Sequence, residues 1–209
     1  MKNWSINKNR FEAFSDGVFA IAATLLILEL RIPEPRVNLP DGGLTQGLLA
    51  LWPLYIVYVA SFATIGIMWM NHHALFHSVT RVSYPMMIFN LLLLMLVAFL
   101  PIAIEVLSKF GLSPAAVEFN GLIFLMIAIA YGILFYVAAP TIQGPRTFAR
   151  YFRSWTFWDS VGAIGYLLGI AVARFSPIAS IIIYSLVAVY YALPSATRAL
   201  IASGQRNEG

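Results

Sequence analysis

Residues 10–30 read RFEAFSDGVFAIAATLLILEL, an apolar stretch that begins with a cation, a hydroxyl and a carboxylate. A helix needs about 20 apolar residues to cross the hydrocarbon core of a bilayer, and this stretch has that length. Ionisable side chains near the hydrocarbon are costly and normally face the helix bundle or water, with a partner. The stretch therefore predicts a membrane-spanning helix whose polar end is held by neighbouring helices.

The composition of the whole chain favours the same environment. Of its 209 residues, 60% are hydrophobic and only 11% are charged, whereas soluble domains are about 45–50% apolar and about 25% charged. A soluble or disordered protein is excluded, because the polar surface is too small. The absence of Cys excludes disulfides and thiolate catalysis. No cleavable signal peptide is evident, so we interpret the first apolar run as a retained span.

Turn and helix-start signals divide the chain into six predicted spans. They are residues 10–30, 47–76, 86–107, 115–139, 158–173 and 178–193. No room is left for a separate soluble domain, so residues 1–209 are predicted to form one membrane domain. Pro101 is expected to kink the third span. The last two spans are short, and a single re-entrant hairpin is the alternative interpretation of that pair.

Basic residues predict the orientation of these spans. One side of the membrane would carry nine of them and the other side four, namely Arg31, Arg36, Lys109 and Arg174. Because Lys and Arg concentrate in cytoplasmic segments, both termini are predicted to lie in the cytoplasm.

The first span separates into faces when about 100° of rotation is assigned to each residue. One stripe holds six residues: Phe14, Gly17, Ile21, Thr24, Leu25 and Leu28. Ser15 and Asp16 lie well away from this stripe, and alanines at positions 20, 22 and 23 allow other helices to approach. Contact with lipid or ordinary core packing would also explain the stripe, and Asp16 would also serve as a helix cap.

The spacing Arg10-x-x-x-Phe14-Ser15-Asp16, followed by Gly-Val-Phe-Ala-Ile and Thr-Leu-Leu, closely resembles the signature of the prokaryotic branch of the transmembrane protein 175 family of potassium channels. The run Trp69-Met70-Asn71-His72-His73 is also similar to that family. The resemblance implies an all-α, multi-pass protein of the bacterial inner membrane. It further implies a homotetramer of six-span subunits in the lipid bilayer, with four copies of the first helix lining a pore for K⁺ and with no cofactor.

The resemblance also implies roles for individual residues. Ile21, Leu25 and Leu28 would form a hydrophobic constriction, and Thr24 would form a hydroxyl layer linked to selectivity. The polar network that holds the pore helix would comprise Arg10, Phe14, Ser15, Asp16, Trp69, and His72 or His73. An apolar ring excludes water and acts as a gate, and K⁺ sheds its water more readily than Na⁺. We therefore expect a weakly selective, leak-like potassium conductance, and leave proton permeation open.

Other binding chemistry is less well supported. His73 and His77 have a spacing that can bind a metal, but the zinc pattern lacks its Glu, so hydrogen bonding or pH sensing is favoured over a metal site. The basic and aromatic residues around Arg150 favour lipid headgroups over nucleic acid. Glu29 would either concentrate cations at a pore mouth or lie at the interface, paired with Arg31 or exposed to water, and we favour the interfacial interpretation.

Alternative functions come from two other classes. No nucleophile elbow, phosphate-binding loop or catalytic carboxylate pair is evident, so an enzyme is not expected. The main alternative is a proton- or ion-coupled secondary transporter, in which Asp16 and His73 relay protons within one subunit. Transporters of that kind are built from inverted repeats and broken helices, and neither is convincing here. A structural membrane protein without permeation is the third hypothesis.

Overall fold

The computed structural model describes residues 7–30, 43–142 and 161–192, except the side chains of residues 53, 54, 56 and 57. These ranges form helices α1 Lys8–Leu25, α2 Leu44–Ala50, α3 Trp52–Ser78, α4 Tyr84–Val97, α5 Leu100–Phe110, α6 Pro114–Ala138, α7 Val161–Ala173 and α8 Pro177–Ala192. Short 3₁₀ turns, Leu26–Glu29 and Ala139–Thr141, continue α1 and α6. The all-α class is confirmed for these residues, where the one β-type contact is an isolated bridge between Val79 and Ile142.

Several helices have the length and composition of membrane spans. Three segments of the described residues are long and apolar enough to cross a bilayer: Lys8–Glu29, Tyr84–Phe110 and Pro114–Thr141. Helix α3 has 27 residues without Asp, Glu, Lys or Arg, and at 1.5 Å per residue it is about 40 Å long. These helices indicate a membrane protein. The count of six spans and the cytoplasmic location of both termini remain predictions.

Proline explains where two predicted spans are divided. The second span starts earlier than residue 47, as α2, and breaks at Leu51, because Pro53 in the first turn of α3 has no N–H to bond back into α2. The third span breaks at Ala98 and Phe99, before Pro101, where the sequence predicts a kink. The first span is shorter than predicted as an α-helix, since residues 26–29 tighten into the 3₁₀ turn.

The remaining boundaries agree closely with the sequence. Helix α6 begins after Ser113, as the Ser-Pro signal predicts, and α8 begins at Pro177. Helices α7 and α8 correspond to the fifth and sixth predicted spans. The basic and aromatic stretch around Arg150, Asp159, and the proposed Arg31 partner of Glu29 lie outside the described residues.

Two apolar clusters hold the helices together. The first packs α1 against α3, α4, α5 and α6, and it includes the fully buried side chains of Phe76, Met86 and Leu134. The second joins α5 and α6 to α7 and α8 around the buried rings of Tyr166 and Tyr184. Helix α1 belongs only to the first cluster, so its position depends on α3, α4 and α5.

Charged side chains at one end of the bundle are paired. Glu105 has no evident partner in the sequence, but the structure pairs it with Lys109, one turn later on α5. Glu118 near the start of α6 lies 3.4 Å from Arg174, which follows α7. Both pairs are partly exposed, so each contributes about 0–1 kcal/mol.

Helices α7 and α8 approach each other through glycines. A side chain at Gly169 would overlap the ring of Tyr184, and one at Gly162 would overlap the ring of Tyr191. Extra volume in a packed interior typically costs about 1–3 kcal/mol. We expect Gly169→Ala to lower the melting temperature of the purified protein. Gly66→Ala on α3 is the matched control, because its Cβ would meet nothing within 4 Å, and equal melting of the two variants would contradict this packing.

Candidate functional site

Helix α1 has two opposite apolar faces, and only one of them packs within the chain. The packed face is formed by five residues between 0 and 8% exposed: Phe11, Ser15, Phe19, Ala22 and Leu26. The six residues Phe14, Gly17, Ile21, Thr24, Leu25 and Leu28, which we call the α1 stripe, are all exposed. Ile21 is 60% exposed and Leu28 is 66% exposed. The α1 stripe therefore has no partner among the described residues of its own chain.

The 3₁₀ turn after Leu25 keeps the last residues of the α1 stripe on the same side of the helix. In an α-helix, residue i+3 lies about 60° away from residue i, whereas in a 3₁₀ helix it lies directly above it. Tightening residues 26–29 therefore aligns Leu28 with Leu25, and both remain exposed. Ile27 is also 48% exposed there, so this end offers more apolar surface than the sequence predicts.

Thr24 supplies the hydroxyl oxygen of the α1 stripe. Its Oγ1 donates a hydrogen bond to the carbonyl oxygen of Ile21, 2.9 Å away. A hydroxyl that donates in this way keeps its lone pairs available as an acceptor. The α1 stripe therefore combines apolar side chains with one hydroxyl oxygen that is available as an acceptor.

Ser15, on the back of α1, joins a buried chain of hydrogen bonds. Ser15 Oγ donates to the carbonyl oxygen of Phe11 at 3.1 Å and accepts from Asn90 Nδ2 at 2.9 Å. Asn90 Oδ1 lies 2.7 Å from His72 Nε2. These three side chains are no more than 1% exposed. The hydrogen-bond chain from Ser15 through Asn90 to His72 therefore connects α1 to both α4 and α3 in the interior.

Asp16 forms a second and separate connection to α3. The indole Nε1 of Trp69 donates a hydrogen bond to Asp16 Oδ1 at 2.8 Å. The ring of His73 stacks on that of Trp69, with centroids 5.8 Å apart. The two candidate histidines therefore take part in different ways: His72 belongs to the Ser15 chain, and His73 supports the Trp69 ring.

The structure brings together most of the predicted polar network. Arg10 is exposed and makes no hydrogen bond or ion pair with the residues that the structure describes, and Phe14 points outward on the α1 stripe. Asn90 was missed by the sequence analysis. An amide inside the apolar run of α4 was the available signal, because a buried amide needs hydrogen-bond partners.

Lys8 holds the polar end of α1 in place. Its Nζ donates a hydrogen bond to the carbonyl oxygen of Val79 at 2.8 Å and lies 3.6 Å from Glu12. Val79 follows the last turn of α3, where carbonyl groups lack helical partners and favour a cation. The rings of Phe11 and Phe76, with centroids 4.8 Å apart, add an apolar contact between the same ends of α1 and α3.

The histidine pair proposed as a possible metal site is loosely arranged. The rings of His73 and His77 have centroids 6.5 Å apart. Within the described ranges, no group of three or more His, Cys, Asp or Glu side chains is placed to hold a metal ion.

The chain is similar in sequence to known ion channels. The family described as the endosomal/lysosomal potassium channel TMEM175 matches residues 10–101. A potassium channel of Streptomyces collinus is 39% identical over 188 residues, which cover 87% of this chain and 90% of that protein. The endosomal/lysosomal proton channel TMEM175 of Rattus norvegicus is 42% identical over 114 residues, 52% of this chain but only 23% of the rat protein.

A solved structure agrees with the fold. The crystal structure of a lysosomal potassium-selective channel TMEM175 homolog from Chamaesiphon minutus superposes with a TM-score of 0.76 at 36% identity. The match covers 89% of this chain and 96% of that one. Because the likeness extends over nearly the whole of both chains, this chain belongs to the TMEM175 family of ion channels.

Proposed function

We propose that this chain is the subunit of a homotetrameric potassium channel in a bacterial inner membrane. Six spans per subunit, with both termini cytoplasmic, would surround a pore lined by four copies of α1. The observation that carries the proposal is the exposed α1 stripe, opposite a fully packed face, in a chain whose relatives are named potassium channels. A channel of this kind is not an enzyme, and it needs no cofactor beyond its permeant ion.

One subunit cannot enclose a path with a single stripe. Residues 8–29 form 22 residues of continuous helical structure, which at 1.5 to 2 Å per residue spans the roughly 30 Å of a hydrocarbon core. The other walls must come from elsewhere, and identical subunits related by cyclic symmetry supply them. Ile21, Leu25 and Leu28 would then form successive apolar rings around the axis.

Selectivity in such a pore comes from dehydration. Isoleucine and leucine side chains offer no ligand, so the rings narrow the path and expel water. K⁺ gives up its hydration shell more readily than Na⁺, and an apolar ring therefore penalises Na⁺ more. Thr24 oxygens next to the Ile21 ring would compensate part of the lost hydration. Discrimination between the two ions should be modest.

Thr24→Val removes this oxygen while keeping the shape of the side chain. We expect the preference for K⁺ over Na⁺ to fall by severalfold, because dehydrated K⁺ loses its nearest ligand, while the apolar barrier remains. The measurement is the reversal potential in mixed K⁺ and Na⁺ across a reconstituted bilayer. Thr64→Val on α3 is the matched control, since that hydroxyl also bonds a carbonyl of its own helix. An unchanged reversal potential for Thr24→Val would exclude the hydroxyl from the selectivity mechanism.

Ion flux from liposomes tests the function itself. A channel passes K⁺ down its gradient without any coupled solute, whereas a coupled transporter requires a second ion or solute to move. A pH-sensitive dye in the same vesicles would report proton permeation, which is relevant because the animal relatives are named proton channels. Absence of K⁺ flux from the reconstituted protein would refute the proposed function.

A further inference from the structure

Asn90 is an unusual residue for its position. It lies in the middle of α4, followed by the run Leu91 to Val97, which is entirely apolar, and it is 1% exposed. Burying an amide in such surroundings is unfavourable unless its hydrogen bonds are made. Both ends of the Asn90 amide are bonded to other helices, through Nδ2 to Ser15 on α1 and through Oδ1 to His72 on α3.

The donors and acceptors of the Ser15–Asn90–His72 hydrogen bonds can be assigned one after another. Ser15 Oγ uses its only proton on the Phe11 carbonyl, so it must accept from Asn90 Nδ2. Asn90 Oδ1 then has to accept, which assigns the proton to Nε2 of His72. This pattern fixes which end of the Asn90 amide faces Ser15 and which end faces His72.

Ser15 and Asp16 hold α1 from two sides. At about 100° per residue, Ser15 lies about 130° from the centre of the α1 stripe in one direction, and Asp16 lies about 130° in the other. Asn90 bonds the first and Trp69 bonds the second. Two attachments on either side of the back of a helix fix its rotation about its own axis, which a single attachment does not.

We propose that Asn90 is a positioning residue, which acts through Ser15 to set the axial rotation of α1 and thereby the direction in which Ile21 points. The proposal rests on the proposed pore-lining role of α1. A side-chain tip lies about 5–6 Å from the axis of its helix, so a rotation of about 20° displaces it by about 2 Å. In a ring of four Ile21 side chains, such a displacement decides which residue forms the constriction.

Cysteine accessibility measures this rotation directly, because the chain contains no Cys and needs no background substitutions. Single cysteines would replace Ile21 at the stripe and the two residues that flank it, Val18 at about 70° and Ala20 at about 90° from the stripe centre. Each variant would be reacted in membranes with a water-soluble methanethiosulfonate reagent. The rates would be compared with and without Asn90→Leu, which removes both hydrogen bonds and replaces the amide with an apolar side chain of similar size.

We expect Asn90→Leu to slow modification at Ile21→Cys at least fivefold and to accelerate it at one of the two flanking positions. Ser15→Ala should produce the same shift, and the two changes together should shift the pattern no further, because they break one connection. Asn120→Leu is the matched control. Asn120 is 6% exposed on α6, and its side chain makes no hydrogen bond with α1 in the described structure. The rates of modification at the three cysteine positions should therefore stay unchanged in this variant.

Two results would overturn the inference. One is an unchanged pattern in both Asn90→Leu and Ser15→Ala, and the other is an equal shift in Asn120→Leu, which would reflect general loosening. If Asn90→Leu does not fold, Ser15→Ala alone decides, since it removes only the Ser15 hydroxyl that accepts from Asn90. Failure of the proposed function has a different signature: no K⁺ flux would be seen even in the unsubstituted protein.

Discussion

Ile21→Asn is expected to raise K⁺ conductance about tenfold or more and to abolish most of the preference for K⁺ over Na⁺. Four side chains change at once in a tetramer, so even about 0.4 kcal/mol per subunit lowers the barrier enough for a tenfold increase. The amide groups would wet the ring and offer oxygen ligands to either ion. Single-channel or macroscopic current in bilayers, with the reversal potential in mixed salts, measures both effects.

The control for this variant is Ile164→Asn on α7. Ile164 is 55% exposed and Ile21 is 60% exposed, so both substitutions add a polar group to an exposed apolar position. Helix α7 belongs to the second apolar cluster, away from α1. Conductance and selectivity should therefore stay unchanged in Ile164→Asn. Ion permeation that Ile21→Asn leaves unaltered would show that this side chain does not line the pore.

Asp16→Ala is expected to prevent the formation of stable tetramers. The substitution leaves the Trp69 indole N–H without its acceptor. A hydrogen bond to a charged group contributes about 1.5–3 kcal/mol, and this loss is repeated in each subunit. The connection of α1 to α3 through Asp16 is lost at the same time. Size-exclusion chromatography with light scattering, in mild detergent, would follow the loss.

Glu12→Ala provides the comparison for Asp16→Ala. Glu12 is also an acid on α1, but its ion pair with Lys8 is 3.6 Å long and partly exposed, so its contribution is about 0–1 kcal/mol. This variant should assemble normally. Trp69→Phe should reproduce part of the defect of Asp16→Ala, because it removes the same hydrogen bond while keeping an aromatic ring. Normal assembly of Asp16→Ala with an altered ion preference would instead make the carboxylate part of the ion pathway.

Periodicity and composition predicted the features of α1 that depend on a single helix. The helical wheel separates Ile21 and Leu28 from Ser15 before any neighbour is known, because the rotation per residue is fixed by backbone geometry. The structure shows that these faces differ in burial. Proline has an equally local effect, and the break before Pro101 was therefore predictable as well.

Contacts between helices were less accessible from the sequence. A polar residue in an apolar span indicates that a partner exists, but not which helix supplies it. Asp16 and Trp69 are 53 residues apart, and Ser15 and Asn90 are 75 apart. Only the packing of α1 against α3 and α4 brings these pairs together. The 3₁₀ turn after Leu25 was missed for a different reason, because the apolar residues 26–28 carry no signal for helix tightening.

The central claim is that Ile21 side chains of identical subunits meet around one axis, and Cd²⁺ block of Ile21→Cys tests it most directly. Several thiolates around one point bind this soft cation tightly, whereas a single thiol binds it weakly. We predict that low micromolar Cd²⁺ blocks the K⁺ current through Ile21→Cys, and that a metal chelator restores the current. Ala22→Cys, whose native side chain is 2% exposed on the packed face, should conduct K⁺ unblocked. K⁺ current through Ile21→Cys that is insensitive to Cd²⁺ would contradict a pore lined by α1.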